Sequence, residues 1–194
     1  MKEMKLRKLI KVLRGLVLAV LVCNYLALFC VPALVASSPK ALLEMVWGDI
    51  QLAAGVHAQG EPLTFLSALF VSWLFVWFNQ YHAVLTVFLW ICGSCTAVIL
   101  YQAKNVLDTM LKGSPFVEEN GQYLRRAAVC CFVVSGAALL RTIWGFFYYR
   151  SLSPLLTYNF LFCPLFLMGG LLFLVMSALF SQAAEMREEQ DLTI

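Results

Sequence analysis

The sequence predicts an all-α integral membrane protein, a four-transmembrane-helix bundle with an additional amphipathic or interfacial helical segment on its outer side. Of its 194 residues, 62% are hydrophobic and 13% are charged, and the mean hydropathy is +0.82. A soluble domain with a polar shell does not have this composition. Each span needs about 20 apolar residues, so the chain has room for four or five spans and for no separate soluble domain. We therefore treat residues 1–194 as a single membrane domain.

The first predicted span covers residues 15–36. Six basic residues and one acidic residue precede it, which places the amino terminus in the cytoplasm because basic residues near span ends stay on that side. The alternative is a cleaved signal peptide, but the apolar stretch exceeds the usual core of about 7 to 15 residues. The basic residues also suit binding to anionic lipid, and no nucleic acid needs to be invoked.

An outer segment is predicted over residues 37–80. Its first part, residues 37–62, is too polar to span, and its apolar positions have the spacing of a short amphipathic helix resting on the membrane surface. Its second part, Leu63–Phe78, is aromatic and shorter than a usual span, so we expect it to lie at the interface or to enter only partway. One bent helix continuing into the next apolar block is the alternative.

The second span is predicted at residues 81–103, after the polar residues Asn79, Gln80 and His82. A cytoplasmic loop follows at residues 104–126, in which Ser114 suits a helix cap, Pro115 suits the first helical position, and Glu118 and Glu119 suit the first turn. The third span is predicted at residues 127–149, the fourth at 156–180, and a cytoplasmic tail at 181–194. Eleven basic residues then lie on the cytoplasmic side, against Lys40 and Arg150 outside.

The loop and the tail carry motifs that resemble a known family. The loop contains "GSPFVEENGQYLRR", and the chain ends in "EEQDLTI". Together these resemble the small four-span bacterial membrane proteins of domain-of-unknown-function family 2975, with Gln190 where the family usually has Asn. The resemblance implies a multi-pass protein of the bacterial plasma membrane without an established activity. It also implies a candidate partner, since such genes often neighbour one for a small Xre-like helix-turn-helix regulator.

No pattern in the sequence indicates an enzyme, and we predict neither a catalytic residue nor a cofactor. The pair Cys92 and Cys95 in "CGSC" has the spacing of metal and redox sites, but all seven cysteines fall within predicted spans, where a thiol packs as a small apolar group. We therefore predict no metal site, and His57 and His82 have no ligand cluster near them in sequence. Arg141 and Asn24 are candidate intramembrane polar residues, and Arg141 is close enough to a span end for its guanidinium to reach the headgroups.

Two hypotheses for function follow. The first is a regulatory or interaction protein whose cytoplasmic loop and tail are conformationally coupled and bind a soluble protein; its candidate partner-binding residues are Pro115, Phe116, Glu119, Asn120, Arg125, Glu188, Glu189 and Asp191. A purely structural alternative is that loop and tail hold each other, with Arg125 or Arg126 paired to acidic residues of the tail. The second hypothesis is a small transporter or a peptide-immunity component with an intramembrane cavity lined by Arg141 and Asn24. The predicted surroundings are the lipid bilayer, with no direct nucleic acid, and the sequence is compatible with an oligomer.

Overall fold

The computed structural model of the protein describes residues 2–36, 47, 64–113, 116–150 and 158–192. Within these ranges it contains five long or medium α-helices and one 3-10 turn: α1 Lys2–Ala36, α2 Thr64–Phe75, the turn Val76–Phe78, α3 Gln80–Leu111, α4 Glu118–Tyr149 and α5 Tyr158–Leu192. Four of them hold segments that are long and apolar enough to cross a membrane: Arg7–Ala36, Gln80–Leu111, Glu118–Tyr149 and Phe160–Gln190. The prediction of an all-α, four-span membrane protein is confirmed.

The long apolar block is divided at Asn79, as the sequence predicts. Asn79 has an extended backbone (φ −107°, ψ 115°), and its side-chain Oδ1 accepts a hydrogen bond from the backbone N–H of Tyr81 at 3.0 Å. This is the geometry of a helix N-cap, so α2 and α3 are separate helices rather than one bent continuous helix. The predicted amphipathic helix within residues 37–62 lies outside the described residues, except for Trp47.

The connection between α3 and α4 is shorter than the predicted loop. Helix α3 continues to Leu111, and α4 begins at Glu118, so most of residues 104–126 is helical. The prediction of a helix start at Ser114 and Pro115 is wrong in register: Val117 still has an extended backbone (φ −124°, ψ 145°). Glu118 and Glu119 do occupy the first turn, where the helix dipole favours acidic side chains. Ser114 and Pro115 themselves are outside the described residues.

The chain divides into two compact units. One unit comprises Leu26–Trp90, and the other comprises Met1–Tyr25 together with Ile91–Ile194. We call the second the bundle unit, because it contains α4, α5 and most of α1 and α3.

In the unit Leu26–Trp90, two tryptophans bond to the backbone near a proline inside α1. Pro32 has no N–H, so the carbonyl of Leu28 lacks its usual helical donor. The indole Nε1 of Trp90 donates to that oxygen at 3.2 Å, and the indole of Trp73 donates to the carbonyl of Phe29 at 3.3 Å. The two indole rings lie 5.3 Å apart. Trp90 of α3 therefore serves the carbonyl that Pro32 leaves without a helical donor, and Trp73 of α2 adds a second indole bond to the same turn of α1.

In the bundle unit, α4 and α5 pack antiparallel through small residues. Along α4, Gly121 approaches Ser177 and Ser181, Phe132 covers Gly170, and the Ser135 hydroxyl donates to the Cys163 carbonyl at 2.9 Å. Close approach through Gly and Ser is typical of membrane helices, whose packing depends on van der Waals contact and interhelical hydrogen bonds. Helix α5 continues without a break to Leu192, so most of the predicted tail is an extension of the last span.

Candidate functional site

Asn120 forms the buried centre of the region where α3 meets α4. Its side chain is completely buried, and the hydroxyl of Thr109 on α3 donates to its Oδ1 at 2.8 Å. The same hydroxyl lies 2.7 Å from the carbonyl oxygen of Val106. A buried amide requires such partners because an unsatisfied polar group costs about 1–3 kcal/mol. Asn120 therefore joins two helices and presents nothing to a soluble partner directly.

Gly121, the next residue, brings α4 against α5. A Cβ added there would lie 2.5 Å from Ser181 Oγ and 3.2 Å from the Ser177 carbonyl oxygen. The Ser177 hydroxyl donates to the Gly121 carbonyl at 2.7 Å. Asn120 and Gly121 are neighbours in the loop motif. Through them, the end of α3 and the carboxyl-terminal part of α5 contact the same turn of α4.

A polar cleft opens beside this contact. It has a volume of about 370 Å³ and is lined by Glu118, Gly121, Gln122, Arg125, Arg126, Ser177 and Ser181. Arg125 and Arg126 are both exposed. In the part of the chain that the structure describes, no acidic side chain forms an ion pair with either arginine. The cleft therefore presents two arginines and one carboxylate, Glu118, and the described residues form no ion pair between them.

The predicted loop contacts α5 mainly at residues that the sequence analysis placed in the fourth span, and the ion pairs considered between loop and tail are not among the described contacts. Phe116 is 47% exposed, and its ring centroid lies 5.9 Å from that of Phe180. Glu119, Glu188 and Glu189 are exposed, and neither Glu188 nor Glu189 pairs with Arg125 or Arg126. The association of the two regions comes instead from Gly121, the serines and the two phenylalanines. Pro115 and the side chain of Asp191 lie outside the described residues.

Sequence reasoning missed the serines and Gln122. Ser177 and Ser181 are one helical turn apart in α5, and small polar residues at four-residue spacing indicate a helix contact face. That signal was present in "SALFS", but the sequence does not say which helix it faces.

An apolar cavity lies on another side of α4 within the bundle unit. It measures about 250 Å³ and receives residues from all four long helices, including Val17 of α1, Gln102 and Val106 of α3, Leu124 of α4 and Phe173 of α5. Gln102 is only 7% exposed, and its Oε1 is buried without a hydrogen-bond partner among the described residues.

One basic residue of the amino-terminal segment, Arg14, forms an ion pair with a residue of α3. Arg14 Nε lies 2.8 Å from Asp108 Oδ1, and Lys104 Nζ lies 3.6 Å from Asp108 Oδ2. These side chains are partly exposed, so the pairs are worth about 1 kcal/mol or less. Arg14 therefore connects α1 to α3, whereas the other basic residues precede it on the chain.

The two intramembrane polar candidates are separate from the apolar cavity. Arg141 and Asn24 are both half-buried, and neither lines that cavity. The Oδ1 atom of Asn24 is buried without a described partner. Arg141 has an interaction partner in the structure, and its positive charge lies near Cys92 on α3.

The cysteines of the "CGSC" motif face the next helix. Cys95 lies near Cys130 on α4. All seven cysteines are free. Among the described residues, no three His, Cys, Asp or Glu side chains converge in a group that could hold a metal ion.

Comparison with known proteins identifies a family and no individual relative. A protein-family model described as "Protein of unknown function (DUF2975)" matches residues 5–194. No curated protein and no solved structure matches the chain.

Proposed function

We propose that the chain, which belongs to the DUF2975 family of proteins of unknown function, is a regulatory or interaction protein without enzymatic activity. It resides in the bacterial plasma membrane with both termini in the cytoplasm. It presents the polar cleft between α4 and α5 to a soluble protein that carries acidic side chains.

The observation that carries this proposal is the pair Arg125 and Arg126 in the cleft. These two adjacent, exposed arginines line the same cleft, and no described acidic side chain forms an ion pair with either of them. Arginine forms paired hydrogen bonds with carboxylates, and this geometry suits recognition at an interface. The hydroxyl of Ser181 lines the same cleft, and the amide Nε2 of Gln122 donates to Glu118 Oε1 there at 3.5 Å.

The side of the membrane follows from the distribution of charge. Basic residues occupy the amino-terminal part of α1 and both sides of the α3–α4 connection, and Lys and Arg near span ends favour the cytoplasm. The same placement makes the cleft accessible to a cytoplasmic protein. A small helix-turn-helix regulator is the first candidate, on the resemblance described above.

The contact between α4 and α5 at Gly121 makes the cleft sensitive to the arrangement of the spans. Gly121 and Arg125 are one turn apart on α4, and the opposite wall of the cleft is α5. A shift of α5 along α4 would move Ser177 and Ser181 relative to the arginines. A rearrangement of the spans in the membrane would therefore change the affinity of the cleft for its partner.

A photocrosslinking experiment tests the proposal. A photoreactive amino acid replaces Gln122 in the full-length protein in cells, and covalent adducts are identified by mass spectrometry. We expect one discrete adduct with a soluble acidic protein. The recovered protein, once purified, should bind the wild-type chain in lipid nanodiscs with an affinity that falls as salt increases, because screening weakens exposed charge pairs.

Charge reversal supplies the matched comparison. Arg125→Glu combined with Arg126→Glu should abolish the adduct and the binding. Arg150→Glu, a reversal of another exposed arginine at the far end of α4, should leave both unchanged. An adduct that survives the double reversal, or binding that is insensitive to it, rules out the cleft as the recognition surface.

A further inference from the structure

We propose that the polar cleft between α4 and α5 binds the phosphate diester of an anionic phospholipid, with Arg125 and Arg126 as the recognition residues. A bound headgroup occupies the site of the proposed function and must leave before an acidic protein enters, so the lipid regulates that site. This regulatory consequence rests on the proposed function, whereas lipid binding itself requires no soluble partner.

The cleft lies where both of its walls pass from apolar to polar sequence. On α4, Arg125 and Arg126 come directly before the apolar run 127–134. On α5, the apolar run ends at Phe180, and Ser181 of the cleft follows it. In a bilayer, the boundary between hydrocarbon and water is the layer that contains the lipid headgroups. The two arginines are therefore placed at the depth of lipid phosphates.

The charge of the cleft matches a singly charged anion. Arg125 and Arg126 are exposed and form no ion pair with a described acidic side chain. Glu118 also lines the cleft, and its Oε1 accepts a hydrogen bond from the Gln122 amide at 3.5 Å. One carboxylate against two arginines leaves a net positive charge. This charge suits a phosphate diester better than a phosphate monoester, which carries nearly two negative charges.

The chemistry and the size of the cleft also favour phosphate. An arginine guanidinium forms paired hydrogen bonds with phosphate oxygens, and the Ser181 hydroxyl lines the same space. The cleft volume of about 370 Å³ is roughly ten times the share of one water molecule in the liquid, so a phosphate group with part of its headgroup fits. Basic pockets between membrane helices on the cytoplasmic side are a known form of anionic lipid site. A zwitterionic headgroup brings its own cation toward the arginines and should bind less well.

Site-specific photocrosslinking to lipid tests the inference. A benzophenone amino acid replaces Gln122 in the purified full-length protein, in nanodiscs with equal amounts of phosphatidylglycerol and phosphatidylcholine, and mass spectrometry of the intact protein identifies the lipid adducts. We expect phosphatidylglycerol adducts to exceed phosphatidylcholine adducts about five-fold or more, the equivalent of about 1 kcal/mol. The control position is Gln182, which follows Ser181 on α5 and is exposed but does not line the cleft. There the two adducts should form in equal amounts.

Arginine variants identify the recognition residues. Arg125→Gln combined with Arg126→Gln should lower the ratio of adducts at position 122 to that at position 182. Arg150→Gln, at the opposite end of α4, also removes an exposed arginine and should leave the ratio unchanged. The comparison of positions 122 and 182 in the wild-type background needs no arginine variant, and it remains a test if the double variant does not fold.

Glycerol 3-phosphate in solution distinguishes a lipid from a free phosphate. At millimolar concentration this monoester should not lower the ratio at position 122, because the headgroup anchored in the bilayer has a higher effective concentration at the cleft. Loss of the ratio on its addition would mean that the site takes a soluble phosphate ester, and would overturn the inference. Equal ratios at the two positions would overturn it as well, as would a ratio that a folded double variant does not change.

The lipid assay contains no soluble protein, so its result is independent of the crosslinking experiment in cells. Lipid enrichment here without a protein adduct in cells refutes the proposed function alone. A protein adduct in cells with equal lipid ratios here refutes the lipid site alone. If both experiments succeed, the purified partner should bind more weakly to nanodiscs that contain phosphatidylglycerol than to nanodiscs of phosphatidylcholine only.

Discussion

Gly121 and its two serine neighbours are the residues on which the shape of the site depends. The α4 and α5 backbones approach closely here, since an added Cβ would lie 3.2 Å from a backbone oxygen, which is tighter than an ordinary van der Waals contact. Gly136, on the same helix, has nothing within 4 Å of an added Cβ. The two glycines therefore have opposite roles, although both are glycines within a membrane helix.

Gly121→Ala should destabilise the protein by about 1–3 kcal/mol, the usual effect of inserting atoms into a packed contact. Gly136→Ala is the matched control and should be neutral or stabilising by up to about 1 kcal/mol, because Ala is the better helix former. Unfolding in a detergent titration measures both.

The cause of the Gly121 effect can be separated into two parts. Adding Ser181→Ala removes the Oγ atom that lies 2.5 Å from the new Cβ and should restore part of the lost stability. The backbone oxygen of Ser177 remains, so the recovery should be incomplete. If Gly121→Ala and Gly136→Ala have equal stability, the close approach described here does not exist.

At the scale of the helices, the stability of α1 depends on a partner far away in sequence. Pro32 removes the donor for the Leu28 carbonyl, and Trp90 replaces it. Trp73 makes a similar bond to Phe29, whose carbonyl still has the N–H of Ala33 as a helical donor. The two indoles are chemically alike, but only one of them serves an otherwise unsatisfied oxygen.

Trp90→Phe should therefore cost more stability than Trp73→Phe, by about 1–3 kcal/mol, the penalty of a buried unsatisfied carbonyl. In a Pro32→Ala background the difference should shrink by about 1 kcal/mol, because the backbone N–H restored by this substitution can then donate to the Leu28 carbonyl. A double-mutant cycle on purified protein measures this coupling. Equal costs of Trp90→Phe in both backgrounds would contradict the proposed role of the indole.

The end of α4 contains a strained residue. Arg150 has a left-handed backbone (φ 47°, ψ 35°) while its N–H donates to the Phe146 carbonyl at 2.9 Å. It is the only non-glycine residue with positive φ in the described part of the chain. This conformation costs about 1–2 kcal/mol for an L-residue with a side chain.

Arg150→Gly should raise the free energy of unfolding by about 0.5–1 kcal/mol. The substitution removes the backbone strain, and the greater entropy of glycine in the unfolded chain offsets part of this gain. Lys112→Gly, at the end of α3 and without a positive φ, should be neutral or destabilising. Thermal unfolding in detergent distinguishes the two; a lower melting temperature for Arg150→Gly would show that the side chain contributes more than the strain costs.

At the scale of the whole molecule, the number of crossings determines which side the cleft faces. Four helices are long enough to span, and an even number places both termini on the same side. The shorter helix segment Leu69–Phe78 also affects the side on which the cleft lies. If this segment crossed the membrane as well, residue 112 would lie on the side opposite to the amino terminus.

Thiol labelling of intact cells tests this orientation. In a background in which the seven native cysteines are replaced by alanine, Lys112→Cys should resist a membrane-impermeant reagent and react only after permeabilisation. Trp47→Cys, in the predicted outer segment, should react in intact cells. Labelling of Lys112→Cys from outside would reverse the proposed orientation and leave the cleft out of reach of a cytoplasmic partner.

The sequence by itself determined the features that depend on local composition. Apolar length predicted four spans, the polar residues at Asn79 predicted the break before α3, and the two motifs predicted the family. Phe116 lies in the connection between α3 and α4, whereas Asn120 lies in the first turn of α4.

The tertiary structure decided which of these residues are exposed and what they contact. Asn120, predicted to contact a partner, is buried against Thr109, while Gln122, Ser177 and Ser181 line the cleft. The Ser177 bond to Gly121 joins residues 56 apart, and the Trp90 bond to Leu28 joins residues 62 apart. Helical periodicity identifies a contact face but not the helix that covers it, so such pairings, and the apolar cavity at Gln102, follow only from the packing of the helices.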